Sequence, residues 1–207
     1  MNERYRTICN SLTCLAWWVL LVVSIGCSQP VPQTRAVILR DIDIQCGPPE
    51  GSVGAARQQA APSITVHFSP KGGCTDAVVK HLDAAKKTIL VQVYNFSSPP
   101  IADALIAAHK RGVDVRIIID HVASTEKSCL LGECRKAGIP CWTDSRHKIA
   151  HNKIGIIDGK IVITGSFNWS EDAEKNAENL LVIDDAAIAK LYAANWEAHL
   201  EHSEKAK

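Results

Sequence analysis

From residue 63 onward the sequence predicts an α/β fold, a β-sheet flanked by helices. Three features predict it. Short β-branched runs alternate with stretches whose apolar residues recur at helical spacing. An Asp-Gly pair separates two apolar runs, the signature of a tight hairpin, and the C-terminal stretch is amphipathic.

The elements follow in order. SITVHF reads as a short strand, and GGCTDAVVKHLDAAKK carries Val78, Val79, Leu82 and Ala85 at helical spacing. In TILVQVYNF, Ile89, Val91 and Val93 alternate as in a buried strand. SSPPIADALIAAHKRG places a Ser before prolines suited to a first helical turn and ends on Gly112, suited to a helix stop. VDVRIIID is a further strand, EKSCLLGECRKAG a further helix ended by glycine, and IPCW a short strand. KIGIIDGKIVIT supplies two strands, ENLLVID another and DAAIAKLYAANWEAHLEH the terminal helix. No internal repeat is visible.

The first residues differ in kind. Arg4 and Arg6 precede an uncharged run from Leu15 to Ile25 that is apolar except for Ser24. A membrane-spanning helix needs about 20 apolar residues, so this run suits the core of an export signal better. SIGCSQP resembles the lipobox of bacterial lipoproteins, which makes Cys27 the residue to be lipidated, although Ser24 stands where that pattern usually has Leu. The reading is an exported protein of the periplasm or cell envelope, with residues 1–27 as signal or anchor. Residues 28–62 are rich in Pro, Gly, Gln and Ala and read as a linker, with RAVILRDIDIQC as a possible strand inside it.

The formal net charge is +1, and no overall field draws the chain to nucleic acid or anionic membrane. Any attraction for polyanions must be local. In an oxidising compartment Cys46, Cys74, Cys129, Cys134 and Cys141 could pair with one left over; buried thiols are the alternative. CLLGEC lacks the paired spacing of a zinc site, so no metal and no cofactor is expected.

The stretch HNKIGIIDGKIVITGSFNWS, residues 151–170, holds the chemistry. Asp158-Gly159 has a sufficient task as a hairpin turn, and His151, Lys153 and Gly155 alternate onto one face of the preceding strand. A solvated strand face would account for that much, but not for GSFNW at the end of the next strand. A nucleophilic imidazole, a fixed positive charge, a hydroxyl and an amide are what phosphodiester chemistry requires.

These residues match the HxKxxxxD plus GSxN signature of the phospholipase D superfamily at His151, Lys153, Asp158, Gly165, Ser166 and Asn168. The chain resembles its small single-motif bacterial endonuclease type, with mitochondrial cardiolipin hydrolase and Zucchini-type proteins as relatives. The likeness runs over about residues 66–202. It implies a phospholipase D-like fold with a mixed sheet over residues 63–207 and one motif per chain. It also implies that His151 attacks phosphorus and forms a phosphohistidine, and that Lys153 and Asn168 grip phosphate oxygens with Ser166 in support. Glu178 in AENLL would orient His151, while Asp158 belongs to the motif but shapes the turn.

Attack and leaving-group protonation need two histidines, and the chain has one HxK motif, so a homodimer with the site on its two-fold axis is expected. Arg146 and Lys148, with His147, form the local basic cluster suited to a substrate backbone. Asp120 and His121 are expected as a satisfied loop pair, His67 at a core or edge position, and Trp142 and Trp169 as buried packing rather than base-stacking residues. GGC after Lys71 is too short to carry a phosphate loop. Three functions compete: a nuclease on DNA or RNA, a phospholipid phosphodiesterase, and a non-catalytic nucleic-acid-binding protein. The intact His151, Lys153, Asn168 and Glu178 set disfavours the last, and the basic cluster favours the first.

Overall fold

The computed structural model describes residues 62–207. The segment at 1–27 with Cys27, and the linker up to residue 61 with Cys46 and its expected strand, lie outside the described residues. The chain runs β1 (Ser63–Ser69), α1 (Cys74–Ala84), β2 (Thr88–Val93), α2 (Pro99–Lys110), β3 (Asp114–Asp120), α3 (Leu131–Lys136), β4 (Cys141–Asp144), β5 (Lys153–Ile157), β6 (Ile161–Gly165), β7 (Glu178–Asp184), α4 (Ala186–Leu200) and β8 (Glu204–Lys205). One mixed sheet has the order β1-β7-β6-β5-β2-β3-β4-β8. Strands β2, β3 and β4 are parallel neighbours; every other neighbouring pair is antiparallel.

Strand periodicity divides the core into two. Ile89, Val91, Val115, Ile117 and Leu180 pack with Val78, Leu82 and Leu105 of α1 and α2. Residues of opposite parity, Ile118, Ile154, Ile156, Val162 and Ile183, pack with Ala189 and Trp196 of α4. All five residues of β5 are buried because helices cover both faces, which is why KIGII reads as a continuous apolar run after its lysine. The indole of Trp196 also donates a 2.9 Å hydrogen bond to the Val91 carbonyl, anchoring α4 to the central strand.

Local chemistry sets the helix ends. Pro99 and Pro100 open α2, and Gly112 leaves it at φ 90°, a left-handed conformation that glycine adopts without strain. The Asp185 carboxylate caps α4 by accepting from the N–H groups of Ala187 and Ile188 at 2.7 and 3.1 Å. Two elements differ from the sequence reading. The helix expected over EKSCLLGECRKAG contracts to α3, because the chain first turns to let Leu130 N–H reach the Phe96 carbonyl. β8 was not expected: its two exposed residues have no apolar alternation and become a strand only by pairing with Trp142 and Thr143.

Cys74, Cys129, Cys134 and Cys141 are free thiols, so of the two alternatives the described cysteines take the unpaired one, three of them buried and Cys129 half-buried. Burial pushes the thiols of Cys134 and Cys141 up to about 12, leaving them protonated and unreactive.

Asp158 sits at the opposite end of the β5–β6 hairpin from His151. It has φ 53°, Gly159 has φ 63°, and its carboxylate accepts from the N–H groups of Lys86 (2.9 Å), Lys87 (2.7 Å) and Thr88 (3.0 Å). Five strand residues separate the turn from the histidine end, about 17 Å of extended chain, so Asp158, although part of the motif, does not reach the imidazole and shapes the turn. Burial opposes its ionisation, but the bonds from Thr88, Lys86 and Lys87 hold the carboxyl below its ordinary value. The resulting stabilisation is full above the unfolded pKa and is lost as pH falls through the folded one. Asp158→Ala should therefore cost roughly 2–3 kcal/mol, a fall in Tm of about 5–10 °C by thermal denaturation at pH 7. Asp158→Asn, which keeps a carbonyl acceptor and tolerates positive φ, should lose about half as much; equal losses for the two would show that the ionised carboxylate, and not the turn geometry, carries the stabilisation.

Candidate active site

The strand directions bring the polar residues to one edge. β2, β3 and β4 end there, β5 and β7 begin there and β6 ends there, so Tyr94, Asp120, Asp144, His151, Lys153, Ser166 and Glu178 all lie along the carboxyl ends of the parallel strands. This is where open α/β sheets place their ligands. Lys153 stands opposite Val93 in register, and His151 precedes it by two, exposed to solvent.

A carboxylate, a glycine and a tryptophan build the edge. Asp120 is buried and accepts from the N–H of Ala123 at 3.0 Å and of Ala150 at 2.8 Å, so it pins the residue immediately before His151. Asp120 is thus satisfied by backbone donors at the end of β3 rather than by a pairing with His121, which is exposed beside it. Gly165 has φ 144°, and a Cβ there would lie 2.3 Å from the Asn179 carbonyl oxygen. Only glycine permits that approach, which lets Ser166 turn across to β7. Trp169 is fully buried against Gly155, and its carbonyl accepts from the N–H groups of Ser97 and Ser98; its role is packing.

The ammonium of Lys153 lies 3.0 Å from Nδ1 of His151, donates to the His151 carbonyl at 2.7 Å and stands 5.4 Å from the centroid of the Tyr94 ring. Tyr94 in turn packs on the imidazole at 4.7 Å between centroids. Burial draws the Lys153 amine down to about 8, against the opposing influence of Glu178. An imidazole whose Nδ1 accepts from an ammonium carries its own proton on Nε2, the form that gives a proton rather than attacks.

Attack requires the other tautomer, with Nδ1–H held by an acceptor. Glu178 was expected to be that acceptor. In this structure its carboxylate instead accepts from Ser166 Oγ, and from Asn176 Nδ2 at 3.2 Å. The reason is register: Glu178 opens β7, so its side chain emerges beside the end of β6, one strand short of His151. Ser166 Oγ also accepts from Asn179 N–H at 3.1 Å, so the hydroxyl serves the carboxylate and the loop. Asn168 is half-buried, and its side-chain oxygen has no hydrogen-bond partner.

Arg146 and Lys148 are exposed on the loop leading to His151 and make no ion pair among the described residues. His147 leaves the basic cluster in which the sequence reading placed it. Its Nδ1 lies 3.1 Å from Oδ2 of Asp144, the oxygen that His199 and His202 also approach. Burial opposes ionisation of Asp144, but these imidazoles and the Arg146 N–H hold its carboxyl well below the ordinary range. This grouping was missed, although the two short spacings DSRH and HLEH carry it. Of the remaining candidates, Trp142 packs edge-on against Trp196, His67 lies on edge strand β1, and the α1 N-terminus after GGC is occupied by the Glu174 carboxylate at 2.8 Å from Thr75 N.

The family described as cardiolipin synthase, PLD-like domain, matches residues 78–200. Over 135 residues the chain is 42% identical to a phospholipase D of Rickettsia prowazekii strain Madrid E, covering 65% of this chain and 66% of that protein. It is 35% identical over 117 residues to a mitochondrial cardiolipin hydrolase of Xenopus laevis, covering 51% of this chain and 55% of the relative. Among solved structures, Nuc of Salmonella typhimurium, a phospholipase D family member, superposes with a TM-score of 0.68 at 36% identity, covering 71% of this chain and 99% of that one.

The Lys153 amine gives a direct test of the site's electrostatics. A heteronuclear NMR titration should show one lysine with a midpoint near pH 8, missing from Lys153→Arg. Because the unfolded lysine keeps its proton to higher pH, the buried ammonium opposes folding fully below about pH 8. That opposition fades as pH rises from there toward the ordinary lysine value, so stability at this site should increase through the window. A lysine set titrating only near 10.5 would show the amine to be well solvated.

Proposed function

We propose, for this chain, which belongs to the phospholipase D superfamily with one copy of its motif, phosphodiester hydrolysis of nucleic acid without a metal at phosphorus. The observation that carries the reading is the exposed His151 imidazole set against the buried ammonium of Lys153 at the sheet edge. The imidazole supplies the nucleophile, and the ammonium supplies charge for the non-bridging oxygens as the phosphorane forms. Attack by Nε2 on phosphorus forms the N–P bond and breaks the P–O bond to the leaving alkoxide, which takes a proton from a second imidazole. Water then cleaves the phosphohistidine, the second imidazole taking the water's proton. Lys153 and Asn168 hold the phosphate oxygens, with Ser166 in support.

The second imidazole belongs to another copy of the chain in this reading. One His151 in the Nε2–H form, as its contact with Lys153 favours, gives the proton; the other, turned to place Nδ1–H on a carboxylate such as Glu178, attacks. Arg146 and Lys148 lie on the approach to this edge and suit a polyanionic backbone better than a single headgroup. The second reading, a phospholipid substrate, draws on the phospholipase D and cardiolipin hydrolase names of the relatives. Export to the cell envelope, with lipidation at Cys27, stays part of the proposal and is tested by the mass of the mature N-terminus.

Plasmid and single-stranded DNA should be cut by the full chain in EDTA, and His151→Ala should lose at least about 10³-fold in rate. Phosphatidylcholine and cardiolipin vesicles are the parallel substrates; turnover of lipid alone would move the assignment to the second reading. Mixing equal amounts of wild type and His151→Ala, with subunit exchange, should leave about one quarter of the wild-type activity if both histidines act in one dimer, and about half if each chain acts alone.

A further inference from the structure

Outside the His151 site, one cluster stands apart. Asp144 ends β4 with its side chain fully buried, and its ion-pair partners among the described residues are all imidazoles: His147, His199 and His202. Their ring nitrogens lie 3.1, 2.9 and 3.3 Å from one atom, Oδ2. A carboxylate oxygen has two lone pairs, so three imidazole donors cannot all be satisfied there. A buried carboxylate also needs a compensating charge, and among the described residues no Lys or Arg side chain pairs with Asp144.

We propose that Asp144, His147, His199 and His202 bind a divalent first-row metal ion, zinc by preference. The four ligand atoms already lie within 4.8 Å of one another. Zinc bonds of about 2.0–2.1 Å in a tetrahedron put ligand atoms about 3.3 Å apart. The three nitrogen–oxygen distances are therefore near their final values, and modest ring movements bring the nitrogens together. Three imidazoles and one carboxylate form a ligand set that selects zinc over calcium or magnesium.

The ligands come as two pairs at i, i+3, one at the end of β4 and one at the end of α4. The ion would cross-link the last helical turn and the C-terminal segment to the loop that carries Arg146 and Lys148. His151 lies four positions after His147, at most about 14 Å along the chain, so the cross-link would also brace the approach to the nucleophile. With four protein ligands the site is closed, leaving no open position for substrate. It is thus structural and compatible with chemistry that uses no metal at phosphorus.

The test uses zinc alone and the full chain, stripped with chelator and dialysed against zinc. The expected result is one zinc per chain by mass spectrometry, lost when these ligands are substituted, tetrahedral d–d absorption after cobalt substitution, and slower hydrogen exchange in residues 145–150 and 199–207 with zinc. The double variant His199→Gln with His202→Gln should lose at least about 100-fold in zinc affinity. His147→Ala alters a side chain that is 45% exposed, so it keeps the test valid if the double variant fails to fold. No uptake by the folded chain, or affinity unchanged in these variants, overturns the proposal. His151→Ala should retain its zinc while losing cleavage, so failure of the proposed activity and failure of the metal site read out separately.

Discussion

The placement of His151 depends on the register of β5. The strand is buried on both faces, and a slip of one residue would carry Ile154 and Ile156 from the α4 side to the α1–α2 side and turn Lys153 away from Tyr94. Two carboxylates hold it from opposite ends. Asp158 ties the hairpin turn to the backbone entering β2, and Asp120 ties Ala150 to the end of β3. Hydrogen bonds from backbone donors to an ionised carboxylate are among the stronger polar contacts in a fold, and neither carboxylate touches the imidazole. The motif aspartate therefore acts on His151 only through geometry.

The same sheet edge explains the electrostatics. Lys153 leaves a strand covered by helices, so its ammonium is poorly solvated and its proton is loosely held, while His151 two residues earlier reaches solvent. Glu178 and Ser166 satisfy each other one strand away. Lys153 makes no ion pair among the described residues.

At its other side, the edge meets α4. The helix starts at the Asp185 cap on the far end of the sheet and runs the length of the second core, so its last turn arrives beside Asp144. The Trp196 bond to the Val91 carbonyl fixes that arrival. One packing arrangement thus positions the His199 and His202 pair as firmly as strand register positions His151.

Most of the fold was legible because strand and helix periodicities are local, and because Asp158-Gly159, Pro99-Pro100 and Gly112 mark their ends by their own conformational limits. Alternation alone puts His151, Lys153 and Gly155 on one face, whereas the roles of Ser166, Asn168 and Glu178 were legible only through the likeness to the phospholipase D signature. What the tertiary structure alone decided involves residues far apart in the chain. The partner of Glu178 follows from the pairing of β7 with β6, β8 exists only against β4, and His147 meets His199 and His202 because α4 spans the sheet. Sequence determines which groups a segment can present; only the packing of segments distant in the chain determines which of those groups meet.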